Sequence, residues 1–198
     1  MFNRTFFCIL LCFSVGCAII KPKIDPEQDP IYWQRVQPLS WEDFKAEPDL
    51  GSLNGAISDV SIIIKMFDYP IEEATVDIRS VFYPYGSWVN PYTKTQDMLT
   101  HEIYHFHIEE IFARKMRQQF DTTVFSPYDL RKQWWKIYDG ILTKCISYHE
   151  EYDYEIRLPK GEENQVKWQE KIDRELDELK EYADPVVKIE VKEIEERD

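Results

Sequence analysis

With 198 residues, 43% of them hydrophobic and 15% aromatic, the chain has apolar mass for one core and is no disordered polypeptide. A formal charge of −13 and a pI near 4.8 argue against binding to nucleic acid and against electrostatic docking on anionic lipid.

The first predicted element is a leader. Arg4 precedes an apolar run from Phe6 to Val15, the length of a signal-peptide hydrophobic region and too short to span a bilayer. Phe13-Ser14-Val15-Gly16-Cys17 resembles the bacterial lipoprotein processing box, with Ser14 where leucine is usual. The expectation is an exported protein. Residues 1–17 form a lipoprotein-type signal peptide and Cys17 is lipidated, or an ordinary signal is cut near Ala18. The only membrane contact is then the N-terminal lipid anchor, and the location is the cell envelope (periplasmic or outer-membrane associated) or outside the cell. Cys8, Cys12 and Cys17 lie in this leader, which leaves Cys145 alone in the body and allows no internal disulfide there. Cys145 reads as a small core residue.

Residues 18–38, with "KPKIDPEQDP", read as an extended tether, residues 39–183 as the domain, and 184–198 as a charged tail or short edge strand. Alternation of apolar residues predicts strands around Val60–Met66 and Thr75–Ser80. They are joined by "FDYPIEE", which reads as a turn between antiparallel neighbours. From Thr95 to about Gln119 nothing breaks a helical pattern. "DTTVFSPYD" ends it, with Pro127 placed to open a second helix along Leu130, Trp134, Ile137, Ile141, Cys145, Tyr148 and Tyr152. A third carries Trp168, Ile172, Leu176 and Leu179 and is ended by Pro185. The expected fold class is α+β, with N-terminal antiparallel β-strands packed against three α-helices.

The chemistry concentrates in "MLTHEIYHFHIEE", residues 98–110, which holds three of the four histidines. His101 and His105 stand four residues apart, about 6 Å of rise and about 40° of rotation on a helix, so their rings can converge on one ion. Glu102 lies on an adjacent face, within reach of a metal-bound water. That is the mechanical content of the H-E-x-x-H motif, and it predicts a zincin-like active-site helix. His107 sits about 200° around the helix from His105 and cannot share the ion. Glu109 is about 12 Å along the axis from His101, too far to complete the same sphere. A catalytic zinc needs a third protein ligand, and "SYHEEYDYEI" on the second helix offers His149, Asp153 and Glu155. Glu155 follows Tyr148 and Tyr152 on the inward stripe and is the first choice, with Asp153 its rival.

These residues resemble the bacterial domain of unknown function 922 family, described as a predicted secreted zinc-dependent protease of the HExxH type. The likeness runs over roughly residues 39 to 180, through "LSWEDFKAEPD", "GSWVNP", "HEIYHFHIEEIFARKMR", "YDYE" and "QVKW". It implies a zinc-binding domain with His101 and His105 as ligands and Glu102 as general base. The family's second helix tends to read tyrosine-aspartate-x-glutamate-threonine-x-histidine. This chain reads Tyr152-Asp153-Tyr154-Glu155-Ile156-Arg157-Leu158, so the threonine and last histidine are missing while both carboxylates remain.

The leading expectation is therefore hydrolysis of a peptide or protein substrate by zinc, with Glu102 as the base and Tyr152, Tyr154 or Tyr104 as the donor to the tetrahedral intermediate. Ser87-Trp88-Val89 is expected as an edge strand near the cleft. The competing expectation is a catalytically inactive envelope lipoprotein binding module, with a structural or lost zinc site.

Overall fold

The computed structural model describes residues 30–34, 38–67, 74–126 and 130–192. The leader with Cys17, most of the "FDYPIEE" turn and Pro127 lie outside the described residues. The fold is α+β: antiparallel strands, mostly N-terminal, packed against three helices.

The main sheet is built on β4 (Thr75–Phe82), which pairs along its whole length with β3 (Val60–Phe67), Val60 opposite Phe82 and Phe67 opposite Thr75. The other edge of β4 is shared by two short strands. β1 (Ile31–Tyr32) covers Val81 and Phe82, and β7 (Val186–Lys188) covers Thr75 to Asp77. β4 is thus central, and Val76, Ile78, Val81 and Phe82 are fully buried. A separate two-stranded ribbon joins β2 (Ala56–Ile57) to β5 (Trp88–Val89). A parallel pair joins β6 (Val124–Phe125) to β8 (Glu190–Val191).

One expected boundary moves and one open alternative resolves. The tether does not run to residue 38, because Ile31–Tyr32 already pairs in the main sheet and the Trp33 indole donates to His107 Nδ1 at 3.0 Å. In the last segment the edge-strand alternative holds as far as residue 191, because Val187 and Ile189 are buried and its strands close two sheets. In both places, apolar residues among charges find uncovered sheet edges.

α1 (Gln96–Thr122) begins where Thr95 caps it, the threonine side chain accepting from Met98 N at 3.1 Å. It lies between the sheet and two further helices, α2 (Leu130–Ile156) and α3 (Gly161–Glu178). Ile108, Ile111, Met116 and Phe120 of α1 pack with Val76 and Ile78 of the sheet, Cys145 and Tyr152 of α2, and Ile172 and Leu176 of α3. α3 stops before Pro185, passing through a 3-10 turn at Lys180–Tyr182. The turn between α2 and α3 needs its glycine, since a Cβ on Gly161 would lie 2.3 Å from the Ile156 carbonyl oxygen. This tight reversal fixes the C-terminal end of α2 against α1 and α3, and that is where the candidate ligands sit.

Candidate metal centre

His101 and His105 occupy successive turns of α1, and Asp153 approaches from the last turn of α2. Their three ligand atoms stand nearly equidistant. His101 Nε2 is 3.1 Å from His105 Nε2, and Asp153 Oδ1 is 3.2 Å from the first and 3.1 Å from the second. Three lone-pair atoms so close repel one another unless a proton or a metal ion lies among them. The centre of such a triangle is about 1.8 Å from each corner, just inside the roughly 2.0–2.2 Å at which zinc binds nitrogen and carboxylate oxygen. Two imidazoles and one carboxylate are also a donor set zinc accepts when it keeps an open position. The residues fit the ion.

The electrostatics favour ligation at two of the three residues. Burial disfavours charge on His101, but the hydrogen bond to Asp153 and the negative charges of Glu102 and Asp153 outweigh it and raise its pKa. At His105 burial wins, opposed by the bond to Asp153 and helped by the neighbouring histidines, and the pKa is lowered. Burial would raise the pKa of Asp153, yet hydrogen bonds from both histidines hold it far below the ordinary carboxylate value. A persistently ionised carboxylate beside a readily neutral imidazole is what metal ligation requires.

Glu102 is buried, and its position is set from the β2–β5 ribbon. Ser58, just after β2, donates its hydroxyl to Glu102 Oε2 at 2.6 Å. The strand expected at Ser87-Trp88-Val89 is therefore present at Trp88–Val89, and the ribbon it forms leads into the residue that holds Glu102.

The other expected residues go elsewhere. Glu155 is not brought to the cluster. Its Oε2 accepts from the Trp168 indole at 2.8 Å, because that face of α2 packs on α3 and not on α1. Asp153 is the carboxylate that meets the two histidines. His107 packs against Trp33 and Tyr104, away from the cluster. Of the three tyrosines, Tyr152 stacks on His101 with centroids 4.8 Å apart, while its hydroxyl donates to the His101 carbonyl and accepts from Gln165. Tyr104 donates to Asp173 at 3.0 Å, and Tyr154 is exposed. None of the three is seen to turn its hydroxyl on the cluster.

His149 has a fuller part than the sequence reading gave it. Its Nδ1 is 2.8 Å from His105 Nδ1, and its Nε2 is 3.2 Å from Glu109 Oε1. The signal was available: Cys145, His149 and Asp153 recur every four residues on α2, a second stripe beside the apolar one.

Comparison with protein-family models, with curated proteins and with solved structures finds no match to the chain.

Proposed function

We propose that the chain is an exported zinc-dependent metallopeptidase, with His101, His105 and Asp153 as metal ligands and Glu102 as general base. The observation that carries the reading is the convergence of the three ligand atoms, 3.1–3.2 Å apart, beside a buried glutamate. Zinc, when bound, supplies Lewis acidity, acidifying water and polarising a carbonyl. The protein's own groups do the rest. Asp153 and the two imidazoles hold the ion. Ser58 holds Glu102 by Oε2 and so leaves Oε1 as the oxygen that takes a proton from the attacking water and returns it to the leaving amine. The substrate class is a peptide or protein, and the chain's acidity favours a cationic or neutral segment over an acidic one.

A second reading drops the turnover: an envelope lipoprotein binding module with a structural or lost zinc site. It is favoured by Tyr104 and Tyr152, two of the three expected oxyanion donors, whose hydroxyls are engaged with Asp173 and with the His101 carbonyl and Gln165. One experiment separates the two. Zinc content and hydrolysis of an unstructured protein such as casein are measured for the wild type, His105→Ala and Glu102→Gln. The peptidase reading expects about one zinc per chain, lost in His105→Ala. It also expects Glu102→Gln to keep its zinc and lose about 10²–10⁴-fold in rate. Zinc without hydrolysis favours the binding module. No zinc in the wild type sinks the peptidase reading and leaves the binding module with a lost zinc site.

A further inference from the structure

A chain of contacts runs away from the cluster into the core. Behind His105 stands His149, and behind His149 stands Glu109, whose side chain is only 1% exposed. Each link is at hydrogen-bond distance: 2.8 Å between the two Nδ1 atoms and 3.2 Å from His149 Nε2 to Glu109 Oε1. The proposed chemistry leaves these two residues unused, and burying them has a cost. Among the described residues Glu109 Oε2 has no donor at all.

We infer that Glu109 and His149 are positioning residues that hold His105 with its proton on Nδ1 and its Nε2 lone pair aimed at the His101–Asp153 cluster. The direction follows from donor and acceptor types once Glu109 is ionised and the two imidazoles are neutral. A carboxylate only accepts, so His149 must present Nε2–H to Glu109. A neutral His149 then has only a lone pair on Nδ1, so the proton between the two rings belongs to His105 Nδ1. A neutral His105 with its proton there has its lone pair on Nε2, the atom 3.1 Å from both His101 Nε2 and Asp153 Oδ1. The inference rests on the metal reading for its purpose, but not for its direction, which is set from the Glu109 end. Carboxylates behind ligating imidazoles fix orientation and raise ligand basicity in metal sites generally. Here an extra imidazole from α2 carries that influence between two residues of α1.

The same chain settles a competing use of these residues. Glu109, Cys145 and His149 themselves offer ligand atoms within 4.8 Å of one another. An ion held there would take His149 Nε2. The inter-ring proton would then sit on His149 Nδ1, and His105 would carry its own on Nε2, facing the first cluster. The two clusters therefore exclude one another, and the proton direction set from Glu109 favours the first.

The test is nitrogen-15 NMR on the full chain labelled at histidine, with and without zinc. The expected result in both states is a scalar coupling across the hydrogen bond between the Nδ1 atoms of His105 and His149, with the proton on His105. His149→Phe should stay folded, lose the coupling and bind zinc about 10–100-fold more weakly. His149→Gln, whose amide oxygen can accept the same proton, should recover most of that affinity, which a mere packing role would not predict. Cobalt at one equivalent should show no sulfur-to-metal charge-transfer band. A proton found on His149 Nδ1, an absent coupling in folded protein, unchanged affinity in His149→Phe, or a sulfur band at the first equivalent would each overturn the inference. If no zinc is taken up, the metal reading fails while the coupling in the metal-free protein still decides this one.

Discussion

α1 carries two polar clusters, one fully buried and one partly so, and they are built on opposite terms. Towards its C-terminal half, Glu110 receives Arg114 at 2.9 Å and Arg117 at 2.9 and 3.3 Å, with Ser80 donating to its other oxygen at 2.9 Å. The spare guanidinium hydrogens go to the carbonyls of Leu176, Ile78 and Tyr182. This clasp ties the sheet, the end of α3 and the following turn to one helix, and both carboxylate oxygens have donors. Earlier on the helix the ligand atoms of His101 and His105 crowd one another, and His101 Nδ1 and, next to Glu110, Glu109 Oε2 are buried with no partner among the described residues. Glu109 and Glu110 are adjacent in sequence and nearly equally buried, yet one is saturated and the other half-satisfied. A structural network closes on itself, whereas a binding network leaves valences for what it binds.

The comparison breaks most visibly at the clasp. Arg117→Met removes one of two cations from a site from which water is excluded and leaves the Ile78 and Tyr182 carbonyls without their donor. It should cost about 3–5 kcal/mol in urea unfolding, the usual loss when one member of a buried ionic network is deleted. Zinc per folded chain should not change. If zinc uptake fell in the folded fraction, the two clusters would not be the independent units described.

A sharper contrast lies between two carboxylates of one helix turn. Asp153→Asn should weaken zinc binding at least about 100-fold in chelator competition, since even residues behind the ligands cost 10–100-fold. Glu155→Gln should leave zinc affinity unchanged and shift stability by less than about 1 kcal/mol, because the amide oxygen can still accept from Trp168. The reverse pattern would hand the third ligand position back to Glu155.

That pair also marks how far the sequence could be read. The i, i+4 spacing of His101 and His105 within an uninterrupted helix needs only helical geometry, and the structure aims both at one point. The strand pair and the order of three helices follow from periodicity in the same way. The third ligand was not legible from periodicity, because α2 has two inward faces. The apolar stripe through Tyr148 and Tyr152 extrapolates to Glu155, which meets α3. The face that meets α1 carries Cys145, His149 and Asp153, and only the packing of three helices says which is which. Glu109 was set aside as too distant from the ion. It does stand away from the ligand triangle, and it reaches it through His149. The strand at residues 31–32 was hidden because two residues carry no period of their own, whereas the edge strand at 186–191 was one of the two readings the sequence allowed.

The smallest expected effect concerns Asp59, which adjoins Ser58 and feels the crowding of negative charge at the ligand end. Burial, with a contribution from the charge of Glu109, pushes its pKa from 3.8 to about 6. The sign follows from proton counting. Between pH 3.8 and about 6 the folded chain holds a proton that the unfolded chain has released, so stability falls as pH rises through that window and stays lowered above it. Asp59→Asn cannot lose that proton. At pH 7 it should be more stable than the wild type by about 1–2 kcal/mol, a discounted share of what the shift implies for a partly solvated group. Below about pH 4 the difference should vanish. Chemical unfolding of both proteins at pH 3.5, 5 and 7 reads this directly. Zinc should flatten the slope: two positive charges at the ligand end offset the field of Glu109 and draw Asp59 back towards an ordinary carboxylate. A slope unchanged by zinc would mean that Asp59 is raised by burial alone, and that the negative charge around the triangle does not act on it as one field.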